Sequence, residues 1–231
     1  MRSIFVTGTD THVGKTCVTA SIVKSLRDVD IDVGVMKPFA SGYKKNSNSL
    51  SQDIKILMKY SNSNDPIDLV NPYYFEIPTS PYDASKLLRK EINIQNIIDA
   101  YEKLLSYHDL VIVEGIGGLM TPLTQDYFVS NLISELNIDT IVVSGSKIGT
   151  VNHILLTNEH CKQLGLKLKG FVINQTEPGG YELSNLKQQI QELTNQTVYC
   201  TIPYYEHFDL DLYINNFTNF VNISKFGFKD V

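Results

Sequence analysis

The sequence predicts an α/β fold built on a doubly wound, mostly parallel sheet with helices on both faces. Three observations predict it. Short, almost unbroken apolar runs alternate with helical patterns from one end of the chain to the other. The runs read as strands buried on both faces, as in a parallel sheet, because they lack an in-out alternation. The unusual polar residues and glycines collect where those runs end, and in open parallel sheets ligands bind outside the carboxyl ends of the strands.

Ser3–Thr7 reads as the first strand and Gly14–Arg27 as the helix after it. Val33–Lys37 is a second strand, followed by a polar Ser/Asn/Lys loop to about Ser51 and a helical stretch at Gln52–Tyr60. Asn62 to Ser85 is rich in Pro, Asn and Ser and reads as an ordered crossing loop. Asn93–Ser106 sets Ile94, Ile97, Ile98, Tyr101, Leu104 and Leu105 at helical spacing. Leu110–Glu114 is a strand of the buried type and Phe128–Leu136 a helix. The pattern then repeats: Thr140–Ser144 strand, Thr150–Leu164 helix, Lys169–Asn174 strand, Leu183–Leu193 helix, and Val198–Ile202 as the last clear strand. No repeat, low-complexity tract or linker interrupts it, so one domain over residues 1–231 is expected.

Bulk properties remove several classes of function. The chain has 231 residues and is 42% hydrophobic, enough for a sizeable core. A net charge of -5 argues against nucleic acid as a main partner, and the Lys44–Lys45 pair reads as solvated surface. No apolar run is long enough for a membrane span, and no membrane partner is expected. The N-terminus enters a strand at once, without a signal-peptide layout. Cys17, Cys161 and Cys200 are far apart and lack metal-ligand spacing. A reduced, cytoplasmic protein is expected.

The strongest local pattern is Gly8-Thr9-Asp10-Thr11-His12-Val13-Gly14-Lys15-Thr16, which follows a strand and opens a helix. Backbone N–H groups at a helix start favour an anion. Lys15 is suited to β- and γ-phosphates and the Thr16 hydroxyl to Mg²⁺, which makes this a P-loop and the fold P-loop NTPase-like. Five residues, not four, separate Gly8 from Gly14, one more than the general pattern. Glu114 ends an apolar strand and precedes Gly115-Ile116-Gly117-Gly118, a place for a Mg²⁺ carboxylate beside close-approaching backbone. Lys37 ends the second strand, where it can neutralise charge on a transferred phosphoryl group. Asp53 is either a further Mg²⁺ carboxylate or a helix-start Asp favoured by the macrodipole. His153 and His160, seven apart on one helix, lack a completing ligand and read as packing or surface residues. Cys17 reads as a small buried residue.

Taken together these segments resemble the dethiobiotin synthetase family. GTDTHVGKT is similar to that family's own loop, extra residue included. Lys37 to Gly42 (KPFASG), Asn71 to Ser85 (NPYYFEIPTSPYDAS), Glu114 to Leu123, and Lys147 to His153 (KIGTVNH) resemble its further motifs, in the same order. Ile116 and Leu119–Met120 depart from the third of these, Glu177–Leu186 aligns poorly, and the tail from about Glu206 matches little.

The resemblance implies an ATP- and Mg²⁺-dependent ligase that closes a ureido ring. Its substrates would be 7,8-diaminononanoate (7,8-diaminopelargonic acid), CO₂ and ATP. Lys37, Lys15 and Thr11 would be catalytic. His12, Val13, Gly14, Lys15, Thr16, Cys17, Gly115, Ile116 and Gly117 would contact ATP, with Asn174, Gln175, Pro203 and Tyr204 around the base. Thr16, Asp53 and Glu114 would hold the metal. Thr11, Ser41, Gly149, Thr150 and Asn152 would bind substrate, the last three across a homodimer interface. The alternative is a dimeric P-loop ATPase switch of the partitioning or metal-insertion type. Such proteins carry an extra lysine early in the loop, where this chain has Thr9-Asp10-Thr11. An ATP-dependent amidation enzyme is a further alternative, and no glutaminase domain fits in this length.

Overall fold

The computed structural model describes residues 3–42, 50–226 and 228. Its elements run β1 (Ser3–Gly8), α1 (Lys15–Arg27), β2 (Val33–Met36), β3 (Phe39–Ser41), α2 (Gln52–Ser61), α3 (Ile67–Val70), β4 (Tyr73–Phe75), α4 (Pro81–Leu88) and α5 (Ile94–Tyr107). After them come β5 (Leu110–Gly118), α6 (Val129–Leu136), β6 (Asp139–Ser144), α7 (Thr150–Gln163), β7 (Leu168–Asn174), α8 (Leu183–Thr194), β8 (Val198–Ile202) and α9 (Leu210–Asn215), then two 3₁₀ turns, Phe217–Asn219 and Ile223–Phe226.

Six strands form one sheet in the order β2-β5-β1-β6-β7-β8, and every pairing in it is parallel. The apolar runs dictate this, since each strand is buried along almost its whole length. Alternate residues serve opposite faces. Ile4, Val6, Ile112, Ile141 and Val143 belong to a core with residues of α1, α2 and α9. Phe5, Val111 and Val113 pack with residues of α5 and α6, and Val142, Phe171 and Ile173 with α7 and α8. The chain leaves β1 toward β2 on one side and arrives at β6 on the other, so the topological switch point lies beside β1.

Local capping sets the helix limits. Ser51 Oγ accepts from Ile54 N–H at 3.3 Å and Asn93 Oδ1 from Gln95 N–H at 2.9 Å, satisfying first-turn donors. Asn62, Asn137 and Asn195 close α2, α6 and α8 in the left-handed conformation.

Two expectations need correction. The stretch from Asn62 to Ser85 is not a plain crossing loop: it contains α3, β4 and the start of α4. β4 pairs in parallel with β3 as a separate two-stranded sheet. Three-residue strands are too short to carry a period, so the sequence hid both. The strand holding Glu114 does not end there but continues to Gly118, because Gly118 pairs with Gly8 past an irregularity. Past Glu206, where the family resemblance fades, α9 packs against α1. The lysine-bearing part of the polar loop, with Lys44–Lys45, lies at 43–49, outside the described residues.

Candidate active site

At the switch point the carboxyl ends of β1, β2 and β5 open into a cleft of about 1240 Å³. The loop from Gly8 to Gly14 spans its floor. The Thr9 amide donates to the Val143 carbonyl at 2.9 Å, fixing the loop's first turn to β6. His12 (φ 58°) and Gly14 (φ 83°) adopt left-handed backbone. Glycine suits position 14 on both counts, since it takes this backbone without strain and a Cβ there would lie 2.1 Å from Asn174 Nδ2. Gly8 is equally constrained: a Cβ would meet the Asp10 carbonyl at 2.8 Å and Lys15 Nζ at 2.9 Å.

The charged groups form one connected cluster. Lys15 Nζ donates to the Asp10 carbonyl at 2.7 Å. Thr16 Oγ1 donates to Glu114 Oε1 at 2.8 Å. Lys37 pairs with that same Glu114 Oε1 and lies 3.0 Å from Asp53 Oδ2. Lys15, Lys37 and Glu114 are 8%, 5% and 0% exposed, so the water that would otherwise screen them is largely excluded. Burial lowers the Lys15 ammonium to about 8, against the opposing pull of Glu114. Burial works to lower Lys37 too, but the Glu114 and Asp53 carboxylates outweigh it and raise it above its ordinary value. Burial pushes the Cys17 thiol, in the first turn of α1, up to about 12, which disfavours the thiolate.

Among the described residues, one buried atom in the cluster lacks a protein partner: Glu114 Oε2. An unpaired carboxylate oxygen beside a second carboxylate and a hydroxyl fits a hard cation that prefers oxygen ligands. Among the described residues no group of three or more His, Cys, Asp or Glu side chains is arranged to hold a metal by itself. Mg²⁺ does not require one, since it takes one or two carboxylates and completes its shell with phosphates and water.

Of the residues expected from sequence, Thr11, His12, Gly14, Lys15, Thr16, Cys17, Lys37, Ser41, Asp53, Glu114, Gly115, Ile116 and Gly117 all line this cleft. Val13 is buried beneath it. Asn174, Gln175, Pro203 and Tyr204 form a second group at the ends of β7 and β8. It is tied to the loop by Asn174 Nδ2, which donates to the Val13 carbonyl at 3.0 Å. Gln175 Oε1 accepts from the Tyr204 amide at 3.3 Å. Gly149, Thr150 and Asn152 lie apart, at the start of α7. Asn152 is exposed, whereas Thr150 is 2% exposed with its hydroxyl turned inward. Thr9 Oγ1 donates to Ser144 Oγ at 3.1 Å, Ser144 Oγ lies 2.7 Å from Thr150 Oγ1, and Thr150 Oγ1 donates to the Gly145 carbonyl at 2.9 Å. This hydroxyl relay ties the phosphate loop to the start of α7. His153 and His160, which read from sequence as packing or surface residues, line the cleft, as do Thr79 and Ser80, which had been given no role of their own. The seven-residue spacing of the two histidines placed them on one face without saying what that face meets.

The fold and the loop define a P-loop nucleotide-triphosphate-binding protein with a lysine–carboxylate cluster at its switch point. Comparison with known proteins narrows this. The AAA domain family matches residues 2–209. The ATP-dependent dethiobiotin synthetase BioD of Nitrosopumilus maritimus is 44% identical over 204 residues, covering 88% of this chain and 90% of that protein. The ATP-dependent dethiobiotin synthetase BioD of Bacillus subtilis is 32% identical, covering 93% and 98%. Among solved structures, a ParA family ATPase from Chlorobium tepidum superposes with a TM-score of 0.55 at 17% identity, covering 99% of this chain and 93% of that one. MinD in the MinC:MinD complex of Aquifex aeolicus does so with 0.56 at 14%, covering 94% and 86%. These two share the fold. The chain belongs to the ATP-dependent dethiobiotin synthetase family.

Proposed function

We propose that this chain is an ATP-dependent ligase that makes dethiobiotin from 7,8-diaminononanoate, CO₂ and ATP, releasing ADP and phosphate. The observation that carries the reading is the buried Lys15, Thr16, Lys37 and Glu114 cluster, with Asp53 beside it, at the mouth of an open cleft in a member of this family. One amine adds to CO₂ and gives a carbamate. The carbamate oxygen takes the γ-phosphoryl group of ATP, and the second amine then attacks the carbonyl carbon, expelling phosphate and closing a five-membered urea.

The two partners in phosphoryl transfer are both anionic, so catalysis must suppress their repulsion and align them. Lys15 and Lys37 supply fixed positive charge in a water-poor site. Thr16, Asp53 and Glu114 would hold Mg²⁺, which supplies further charge neutralisation at the phosphates; the unpartnered Glu114 Oε2 supports this assignment. Thr11 and Ser41 line the cleft and would hydrogen-bond the carbamate or the amines. Asn174, with Gln175, Pro203 and Tyr204, would read the base. A primary amide has two N–H donors and two oxygen lone pairs, so Asn174 keeps capacity beyond its internal bonds.

The working unit would be a homodimer in which the start of α7, Gly149 to Asn152, reaches the partner's substrate and presents helix N–H groups to its carboxylate. Ile148 just before this segment, Leu156 further along α7 and Met120 in the cleft lining are 74%, 63% and 55% exposed, apolar surface that suits a second copy. Free thiols at all three cysteines agree with a reducing, cytoplasmic setting. Among the described residues no helix is long and apolar enough to cross a membrane.

Purified protein incubated with the diamine, bicarbonate, Mg²⁺ and ATP is expected to release dethiobiotin, ADP and phosphate. Absence of dethiobiotin by mass spectrometry, from protein that binds ATP, refutes the reading. ATP hydrolysis that ignores the diamine and needs a protein partner would replace it with a nucleotide-switch ATPase.

A further inference from the structure

The family match ends at residue 209, yet α9 lies beyond it and sends a buried polar atom back to the nucleotide side of the molecule. Tyr213 is 3% exposed, and its hydroxyl donates to Asn174 Oδ1 at 2.9 Å. Asn174, also 3% exposed, donates through Nδ2 to the Val13 carbonyl inside the phosphate loop. A chain of contact therefore runs from the C-terminal helix through the end of β7 to the loop. Tyr205 and Phe208 pack their rings on Tyr213, with centroids 5.8 Å and 5.7 Å away, and hold the phenol in place.

We propose that Tyr213 is a positioning residue that locks the plane of the Asn174 amide and thereby sets how tightly and how selectively the site takes its nucleotide. The inference rests on the reading that Asn174 faces the base. The Val13 carbonyl is an acceptor only, so it fixes which end of the amide carries nitrogen. One anchor still leaves the side chain free to pivot about its last torsion, which is broad for Asn. The Tyr213 hydroxyl supplies the second anchor, at the opposite end. One N–H and one lone pair are then engaged inside the protein, and one of each remains. A base that offers a donor beside an acceptor, as the 6-amino group and N7 of adenine do, matches that remainder. A 6-oxo purine offers an acceptor in place of the donor and does not.

The test compares Tyr213→Phe, Asn174→Ala and the control Tyr205→Phe with the unaltered enzyme, using ATP and inosine triphosphate as co-substrates. Tyr213→Phe keeps the ring and its packing and removes only the hydroxyl. It is expected to raise KM for ATP about tenfold with kcat retained, the size expected from removing one partner of a buried hydrogen bond. The preference for ATP over inosine triphosphate in kcat/KM should fall by a similar factor. Tyr205→Phe removes a hydroxyl from the same aromatic group without touching Asn174, and should change neither value.

A purely structural role for Tyr213 would lower the melting temperature and the active fraction while leaving KM and base preference intact, and that result overturns the proposal. So does an unaltered Tyr213→Phe enzyme beside an impaired Asn174→Ala, which leaves base reading by Asn174 standing. If Asn174→Ala keeps the unaltered KM and base preference, the underlying reading falls and the proposal with it. Should Tyr213→Phe fold incompletely, calorimetric titration with a non-hydrolysable ATP analogue settles the point. Misfolding lowers the stoichiometry, whereas loss of positioning weakens Kd.

Discussion

Replacing Lys37 with Met removes one charge and keeps most of the aliphatic stem. Its consequences separate binding from chemistry. In the nucleotide-free protein Lys37 is 5% exposed and is the ammonium paired with Glu114, which is 0% exposed. Taking away one member of a buried ion pair leaves the other charge uncompensated, a loss of about 3–5 kcal/mol. At about 2–4 °C per kcal/mol for a chain of this size, the melting temperature should fall by roughly 6–20 °C. Mg²⁺ with ATP would bring positive charge to the same carboxylates, so the deficit should shrink when both are added. Turnover is a separate matter. Removal of one preorganised group that stabilises developing charge costs about 10²–10³ in kcat. ATP affinity should change far less, because the loop backbone and Lys15, which line the cleft, would still meet the phosphates. Thermal unfolding with and without Mg²⁺ and ATP, and dethiobiotin formation at varied ATP, measure the two effects. Equal losses in kcat and ATP affinity would show Lys37 to be a binding group only. An unchanged melting temperature would refute the claim that the buried pair supports the fold.

Two further outcomes follow from the loop. Gly14→Ala sets a Cβ 2.1 Å from Asn174 Nδ2 on left-handed backbone, so ATP binding by calorimetry should be abolished; an alanine enzyme with unaltered affinity would contradict the geometry. For Lys15, burial lowers the folded value to about 8 from an ordinary 10.5, so between those values the unfolded chain holds more protons and stability gains with rising pH. Relative to Lys15→Met, which does not titrate, the nucleotide-free enzyme should gain about 3 kcal/mol in urea unfolding between pH 7 and pH 10.5, and a flat or falling difference would contradict it.

Much of the fold was legible because burial on both faces of a parallel sheet leaves a continuous apolar run. β1, β6 and β8 are such runs, and their limits from sequence lie within a residue or so of the observed ones. The errors arose where pairing, not composition, extends an element. From sequence the strand ends at Glu114, yet Gly115 to Gly118 continues β5 because β1 lies alongside and Gly118 pairs with Gly8. β3 and β4 exist only as each other's partner, with Phe39, Tyr73 and Phe75 stacked in sequence at centroid distances of 5.5 Å and 6.4 Å. A strand of three residues has no pattern of its own to display.

The site divides along the same line. Lys15, Thr16, Lys37 and Glu114 stood out because each is a charged or hydroxyl group where an apolar run meets a helix or a loop. Asp53 was open between two roles. It occupies the first turn of α2, as a helix-start acid would, and also lies 3.0 Å from Lys37 beside the cleft, so a helix-start position leaves its carboxylate within the charged cluster. The relay from Thr9 through Ser144 to Thr150 had no sequence signal, because serine and threonine become informative only when 135 residues of separation close to 3.1 Å. The loop's extra residue falls between these cases. Its presence was plain in the sequence, but its effect is conformational: His12 turns left-handed, the Asp10 carbonyl faces inward to Lys15, and Thr11 is left exposed at the cleft with its N–H held by Asp10 Oδ1 at 2.7 Å. A loop shorter by one residue would have to give up one of these three arrangements. The added length would thus let the phosphate loop carry the Thr11 side chain toward a second substrate as well as backbone toward the nucleotide.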